Sequence, residues 1–315
     1  MQIAAGSKRT ESQALGILAG IATGFFWGFA FLVPQLLSHY SSFEVSAGRF
    51  FFFAAFSVVG IRSVVKLLKS FDSRELFEVF LLSFTGFSGY TLLLFWSVPR
   101  AGGVISALLV GLLPVTISLY GPRAGALSTR FFAGLFLIAA GLVTLVFGIN
   151  GGLGSVDPLG VLGSIICLGS WTWFAIRNSR FLKAHPRVDP RVLSGVMGVL
   201  GASLVLPVWA VVRDSQAVPL TQRPDFTHFI FWSLILGGGA SWLANWLWNI
   251  CSRLCPPQIS GPLIVSETIF GLLYTFLYQK RWPTAFETAA IVLCVTGVFI
   301  CVRSEVMRSR LSPKH

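Results

Sequence analysis

Long apolar runs alternate with short polar segments along the whole chain. Ten of them are distinct: 14–37, 43–61, 76–97, 102–120, 131–149, 159–179, 191–212, 228–250, 257–278 and 285–302. Each comes close to the ~20 residues that carry a helix across ~30 Å of hydrocarbon. The runs are too long, and alternate too little, for barrel strands. The pattern predicts an all-α membrane protein with ten transmembrane helices. The polar opening "MQIAAGSKRTESQ" leads into a run with no small-residue cleavage pattern, so a retained first helix is expected.

Composition agrees with this reading. The 315 residues are 54% hydrophobic and only 11% charged, with a mean hydropathy of +0.76, too few polar residues to cover a water-exposed surface. The net charge of +12 does not point to nucleic acid, because the basic residues sit in short loops rather than on one face. With the N-terminus in the cytoplasm, eighteen of the 24 Lys and Arg fall in cytoplasmic segments. Five (Arg100, Arg213, Arg223, Lys280 and Arg281) fall opposite, and Arg49 lies within a span. That bias predicts a multi-pass inner-membrane protein with both termini inside. The five cysteines lie in or beside apolar runs and read as small buried residues, and the four peripheral histidines offer no metal site. No cofactor is expected.

The chain resembles itself. "LGILAGIATGFFWGF" from Leu15 aligns with "LGVLGSIICLGSWTW" from Leu159, placing Trp27 on Trp171. Tyr90 and Trp96 fall on Trp242 and Trp248, and Gly141 falls on Gly297. This divides the chain into a tail 1–13, a first five-helix repeat 14–150, a second repeat 151–303 and a tail 304–315. An odd number of spans per repeat makes the second half enter from the opposite side. Such inverted repeats build many secondary transporters, with the substrate site near the midplane.

These segments resemble a known family. "LGILAGIATGFFWGFAFLVPQ", "SSFEVSAGRFFFF" with Arg49, "DPLGVLGSIICLGSWTWFAIRNSR" and "IVSETIFGLLYTF" are similar to the first, second, sixth and ninth spans of EamA-type proteins of the drug/metabolite transporter (DMT) superfamily. "WLWNICSR" together with "SETIF" resembles the YddG-like amino-acid exporters. The resemblance implies two inverted EamA-like repeats, alternating access, and export of amino acids, aromatic or other neutral ones. A multidrug exporter of the same superfamily is the alternative within transport. A membrane-embedded enzyme or a non-transporting scaffold is the alternative outside it.

The candidate chemistry is sparse. No phosphate-binding loop, HExxH motif or Ser/His/Asp set is present, so the chain reads as no enzyme. Of the twelve acidic residues only Glu267 lies deep in a span, where a carboxylate must be paired, hydrated or protonated. It is a candidate partner for a substrate amine, or for protons as a coupling ion; packing against a neighbouring helix is the plainer role. In the eighth span Gly238, Ser241, Trp242, Asn245 and Asn249 recur at spacings of three and four and share one face. That face reads either as a substrate-binding wall or as interhelical hydrogen bonding. Trp27, Tyr90 and Trp171, with Trp173, are candidates for lining the same cavity, whereas Trp96 sits where interfacial belts form. Pro114, Gly261 and Pro262 interrupt corresponding spans and are candidate hinges. Arg49, about two turns into its span, either snorkels to the interface or anchors a carboxylate in the cavity. The expected partners are a small-molecule substrate and the lipid bilayer.

Overall fold

A computed structural model describes residues 2–101, 106, 109–121, 127–147, 157–212, 219–223 and 225–311. The regular elements among them are helical. Helices α1 (Gln2–Trp27) and α2 (Phe29–Leu36) meet at Gly28, and α3 (Ser42–Val59) and the short α4 (Ile61–Ser70) follow. Helix α5 (Ser73–Ser83) passes through a π-helical turn, Phe84–Ser88, into α6 (Gly89–Ala101). Then come α7 (Leu113–Tyr120), α8 (Thr129–Phe147), α9 (Pro158–Ala184) and α10 (Pro190–Val212). Helix α11 (Phe226–Leu234) passes through a second π-helical stretch, Ile235–Leu243, into α12 (Ala244–Leu254). Helices α13 (Pro257–Leu263) and α14 (Val265–Gln279) join at Ile264, and α15 (Ala285–Leu311) closes the fold.

Eight helical stretches among the described residues are long and apolar enough to cross a membrane, and Thr129–Thr144 is a shorter apolar helix. The protein is membrane-embedded. The predicted fourth span, 102–120, falls partly outside the described residues, as do Arg123, Arg213 and Lys314. The terminal boundaries differ from expectation. Helix α1 starts at Gln2 rather than at residue 14, and α15 runs to Leu311 rather than 302. Ala, Lys, Glu, Gln, Arg and Met are good helix formers, so a helix does not stop where apolarity stops.

Several starts are set by local chemistry. Ser41 and Glu44 form a reciprocal capping box at α3, and Asp72 and Glu75 form one at α5. Asp157 accepts from the Leu159 N–H ahead of α9, with Pro158 in the first turn, where its missing N–H costs nothing.

Packing joins helices far apart in sequence. Helix α8 lies along α15, α3 along α10, α6 along α9, α1 along α12, and α7 against α13. Lipid tails give helices no hydrophobic reason to associate, so close backbone approach counts. Gly134 and Gly297 make that approach in the α8–α15 pair, where a Cβ on Gly297 would stand 2.6 Å from the Gly134 carbonyl oxygen. The largest core gathers Trp27, Phe50, Phe53, Trp171, Phe174 and Trp248, from four helices.

Candidate functional site

The sequence leaves one carboxylate in the bundle to explain. Glu267 lies near the centre of Pro257–Gln279, in the first turn of α14 and just past the break at Ile264. A carboxylate there is favoured by the partial positive charge of a helix start. Its backbone N–H bonds to the Ile264 carbonyl at 2.9 Å. The carboxylate is half-buried and makes no hydrogen bond to another described residue. It interacts electrostatically with Arg49 of α3, and Tyr90 of α6 lies within the field of both. Three helices distant in sequence thus place a carboxylate, a guanidinium and a phenol within electrostatic reach of one another.

Arg49 is held in place. Its Nε donates to Ser241 Oγ at 2.6 Å, and its Nη2 reaches the Ala240 carbonyl oxygen at 3.5 Å. Ser241 Oγ in turn donates to the Leu236 carbonyl oxygen, within the π-helical stretch. The approach of this stretch to α3 depends on Gly237, where a Cβ would stand 2.6 Å from the Arg49 carbonyl oxygen. Arg49 therefore does not snorkel to the interface: it turns inward toward Ser241. On the other side of Glu267, α1 presses close, because a Cβ on Gly24 would stand 1.9 Å from Ser266 Oγ and 2.8 Å from the Glu267 nitrogen.

The eighth-span stripe does share a face, and in this structure the face is used for interhelical contacts. Ser241, Asn245 and Asn249 are fully buried. Asn245 Nδ2 donates to Ser194 Oγ of α10 at 3.2 Å. Asn249 Nδ2 donates to the Pro190 carbonyl oxygen at 3.1 Å, and Asn249 Oδ1 accepts from Asn178 Nδ2 of α9 at 2.9 Å. In this conformation those amides are turned to α9 and α10. Gly238 is buried against Phe56, and Trp242 is half-buried between Phe56 and Trp246.

Trp27 and Trp171 meet each other at the centre of the core. With Trp248 they form a trio of indoles whose ring centroids lie 5.5–5.6 Å apart, and both are only 7% exposed. Trp248 Nε1 and Asn245 Oδ1 are buried without a hydrogen-bond partner among the described residues, a spare donor and a spare acceptor on α12. Trp96 is exposed under the Arg100 guanidinium, and Trp173 is exposed on the outside of the bundle rather than lining its interior.

The interrupted helices touch. A Cβ on Gly261 would stand 3.2 Å from the Pro114 carbonyl oxygen, which itself accepts from Ser118 Oγ at 2.7 Å. Pro262 is buried inside α13, and the turns at Leu112 and Ile264 place a discontinuity beside each proline.

Charged contacts tie the ends of the bundle. At one end Arg223 pairs with Glu44 at 2.8 Å and lies over the Tyr40 ring, while Tyr40 Oη donates to Asp225 at 2.9 Å. Burial, with Asp225 as hydrogen-bond acceptor and negative neighbour, pushes the Tyr40 phenol up to about 12. At the other end Arg177 binds Glu78 through two bonds of 2.7 and 3.1 Å, and His185 contacts Glu75 at 2.8 Å.

No family model matches the chain. It is 30% identical over 312 residues to the inner membrane protein YtfF of Escherichia coli, covering 92% of this chain and 95% of that one. It is 24% identical over 312 residues to an uncharacterized transporter of Haemophilus influenzae, covering 94% and 98%. A second uncharacterized transporter from that organism matches at 29% over 128 residues, 40% of this chain and 72% of that one. A chain solved by crystallography superposes with a TM-score of 0.74 over 95% of this chain and 99% of its own; at 19% identity this is a likeness of fold. With near-complete coverage of a relative 30% identical to it, the chain belongs to the family of the inner membrane protein YtfF.

Proposed function

We propose that the protein is a secondary transporter that exports small amphipathic metabolites, amino acids above all, by alternating access between two inverted EamA-like halves. The observation that carries this reading is the Glu267 carboxylate, half-buried in an apolar bundle, without a hydrogen bond to another described residue and within electrostatic reach of Arg49 and Tyr90. Ionisable groups at that depth are costly unless they serve a pathway. A carboxylate and a guanidinium that interact inside the bundle match the ammonium and carboxylate of a zwitterion. The nearby indoles match an apolar side chain. Trp242, with Trp248 Nε1 and Asn245 Oδ1, is available to a substrate when the halves part. Glu267 serves as the amine partner or as the proton-coupling site.

The two-halved architecture has independent support. Exchanging the halves turns the α1–α12 pairing into the α9–α6 pairing and leaves α3–α10, α7–α13 and α8–α15 unchanged, and all five pairs are present. The π-helical segments Phe84–Ser88 and Ile235–Leu243 also occupy corresponding places. So do the discontinuities near Pro114 and Pro262, which act as hinges. Relatives named as transporters support transport in general.

The test is reconstitution of the purified chain in liposomes. Counterflow of labelled neutral amino acids that falls in Glu267→Gln supports the reading. Movement of cationic dyes alone would make the protein a multidrug exporter, and no flux of any solute would make it a scaffold.

A further inference from the structure

A cleft of ≈ 390 Å³ opens on the outside of the bundle between α5 and α9. The two helices are antiparallel there, and each contributes residues at i, i+3, i+4 and i+7. From α5 come Arg74, Phe77, Glu78 and Leu81; from α9 come Trp173, Ile176, Arg177 and Arg180. Such spacing puts each set on one helical face. Because α5 begins where α9 ends, Arg74 and Arg180 share the outer end of the cleft, while Leu81 and Trp173 share the end that lies deeper in the spans. The Glu78–Arg177 pair crosses between them. Phe77 and Trp173 are 61% and 40% exposed, so the apolar wall faces lipid rather than the core.

The charges do not cancel. Glu78 offsets Arg177, but Arg74 and Arg180 are exposed and make no hydrogen bond or ion pair with a described residue. The mouth of the cleft therefore keeps two positive charges above an apolar slot. Just ahead in the chain, α4 lies with Val64 buried and Arg62, Lys66 and Lys69 exposed. A ten-residue helix with one buried apolar residue and three exposed cations has the pattern that suits a membrane interface and anionic lipid.

We propose that this cleft binds an anionic phospholipid, with its phosphodiester between Arg74 and Arg180 and an acyl chain along Phe77, Leu81 and Trp173. A free phosphate would satisfy the arginines but leave the slot empty, and a zwitterionic lipid would fill the slot but bring its own cation to the mouth. The cleft shares no residue with the Glu267 site, and the inference rests on membrane embedding rather than on transport.

Native mass spectrometry of the full-length protein, titrated with phosphatidylglycerol, phosphatidylcholine and inorganic phosphate, tests it. Phosphatidylglycerol should bind more tightly than phosphatidylcholine. Each interfacial arginine contributes about fivefold to anionic lipid binding, so Arg74→Gln with Arg180→Gln should weaken phosphatidylglycerol roughly thirtyfold and leave phosphatidylcholine nearly unchanged. Glu78→Gln uncovers a third charge and should tighten phosphatidylglycerol binding, a gain that misfolding would not produce. Neutralising Arg62, Lys66 and Lys69 together should weaken it less than the two cleft arginines do. Equal binding of the two lipids, a double variant that keeps its selectivity, or inorganic phosphate displacing phosphatidylglycerol at equal concentration would overturn the proposal.

Discussion

Ser241→Ala probes how Arg49 is kept inside the bundle. The 2.6 Å bond from Arg49 Nε to Ser241 Oγ has a charged donor and a fully buried acceptor, and the second contact, to Ala240, is long at 3.5 Å. Bonds to charged groups contribute about 1.5–3 kcal/mol in soluble proteins, whereas interhelical bonds in membranes average ~0.6 and reach ~1.7. A charged donor held by essentially one partner belongs at the upper end of the membrane range. Removing the hydroxyl also frees the Leu236 carbonyl oxygen, a neutral loss of about 0.5 kcal/mol. The substitution should therefore cost about 2 kcal/mol. In an Arg49→Met background only the neutral loss remains, so a double-mutant cycle should give a coupling of about 1.5 kcal/mol. Reversible unfolding in mixed detergent micelles measures all four proteins. If Ser241→Ala costs the same in both backgrounds, to within about 0.5 kcal/mol, Arg49 is not held there and the inward placement of its charge fails.

Three other expectations follow from the geometry. Asn249→Leu removes the acceptor of Asn178 and the donor to Pro190, so it should lower stability by about 1–3 kcal/mol in the same unfolding assay while leaving the transported solutes unchanged; a changed solute profile would make Asn249 part of the binding wall. Gly24→Leu forces α1 away from Ser266 and the Glu267 backbone, and should abolish flux even where the protein inserts and purifies normally, whereas Gly60→Leu, with the Ser57 carbonyl oxygen the one described atom within 4 Å, should be tolerated. The Tyr40 phenol, raised to about 12 from an unfolded value near 10, stabilises the fold fully below pH ~10, and that contribution disappears as pH rises through 12; thermal melts of Tyr40→Phe should lack this part of the alkaline decline.

Much of the architecture was legible because the bilayer imposes a length. Spans one to three and six to ten appear close to their predicted places, since an apolar run of that size has few alternatives. Pairing Trp27 with Trp171 was informative as well, for the two indoles meet at 5.6 Å. What the local sequence lacked was the partner. Periodicity placed Ser241, Asn245 and Asn249 on one face, but a face is dry or wet according to what covers it, and Asn178, Ser194 and Pro190 lie 51–71 residues away. Depth alone made snorkelling of Arg49 attractive, and the hydroxyl that turns it inward lies 192 residues on. The π-helical stretch that presents Ser241 has no residue signature of its own. Gly16, Gly20 and Gly24 on α1 and Gly28 just past its end stand four apart, a small-residue ridge visible in the sequence that marks the side facing α12, α13 and α14.

The central claim is that Glu267 faces a water-filled cavity which opens to one side of the membrane at a time. The five native cysteines are buried free thiols, so a background with all of them replaced by Ser or Ala gives a Glu267→Cys variant a single thiol. Labelling that thiol in oriented proteoliposomes with a membrane-impermeant reagent, applied from each side with and without substrate, is the most direct measurement. The account predicts labelling from at least one side and protection by substrate. A thiol that reacts from neither side, while a membrane-permeant reagent shows it to be intact, would contradict it.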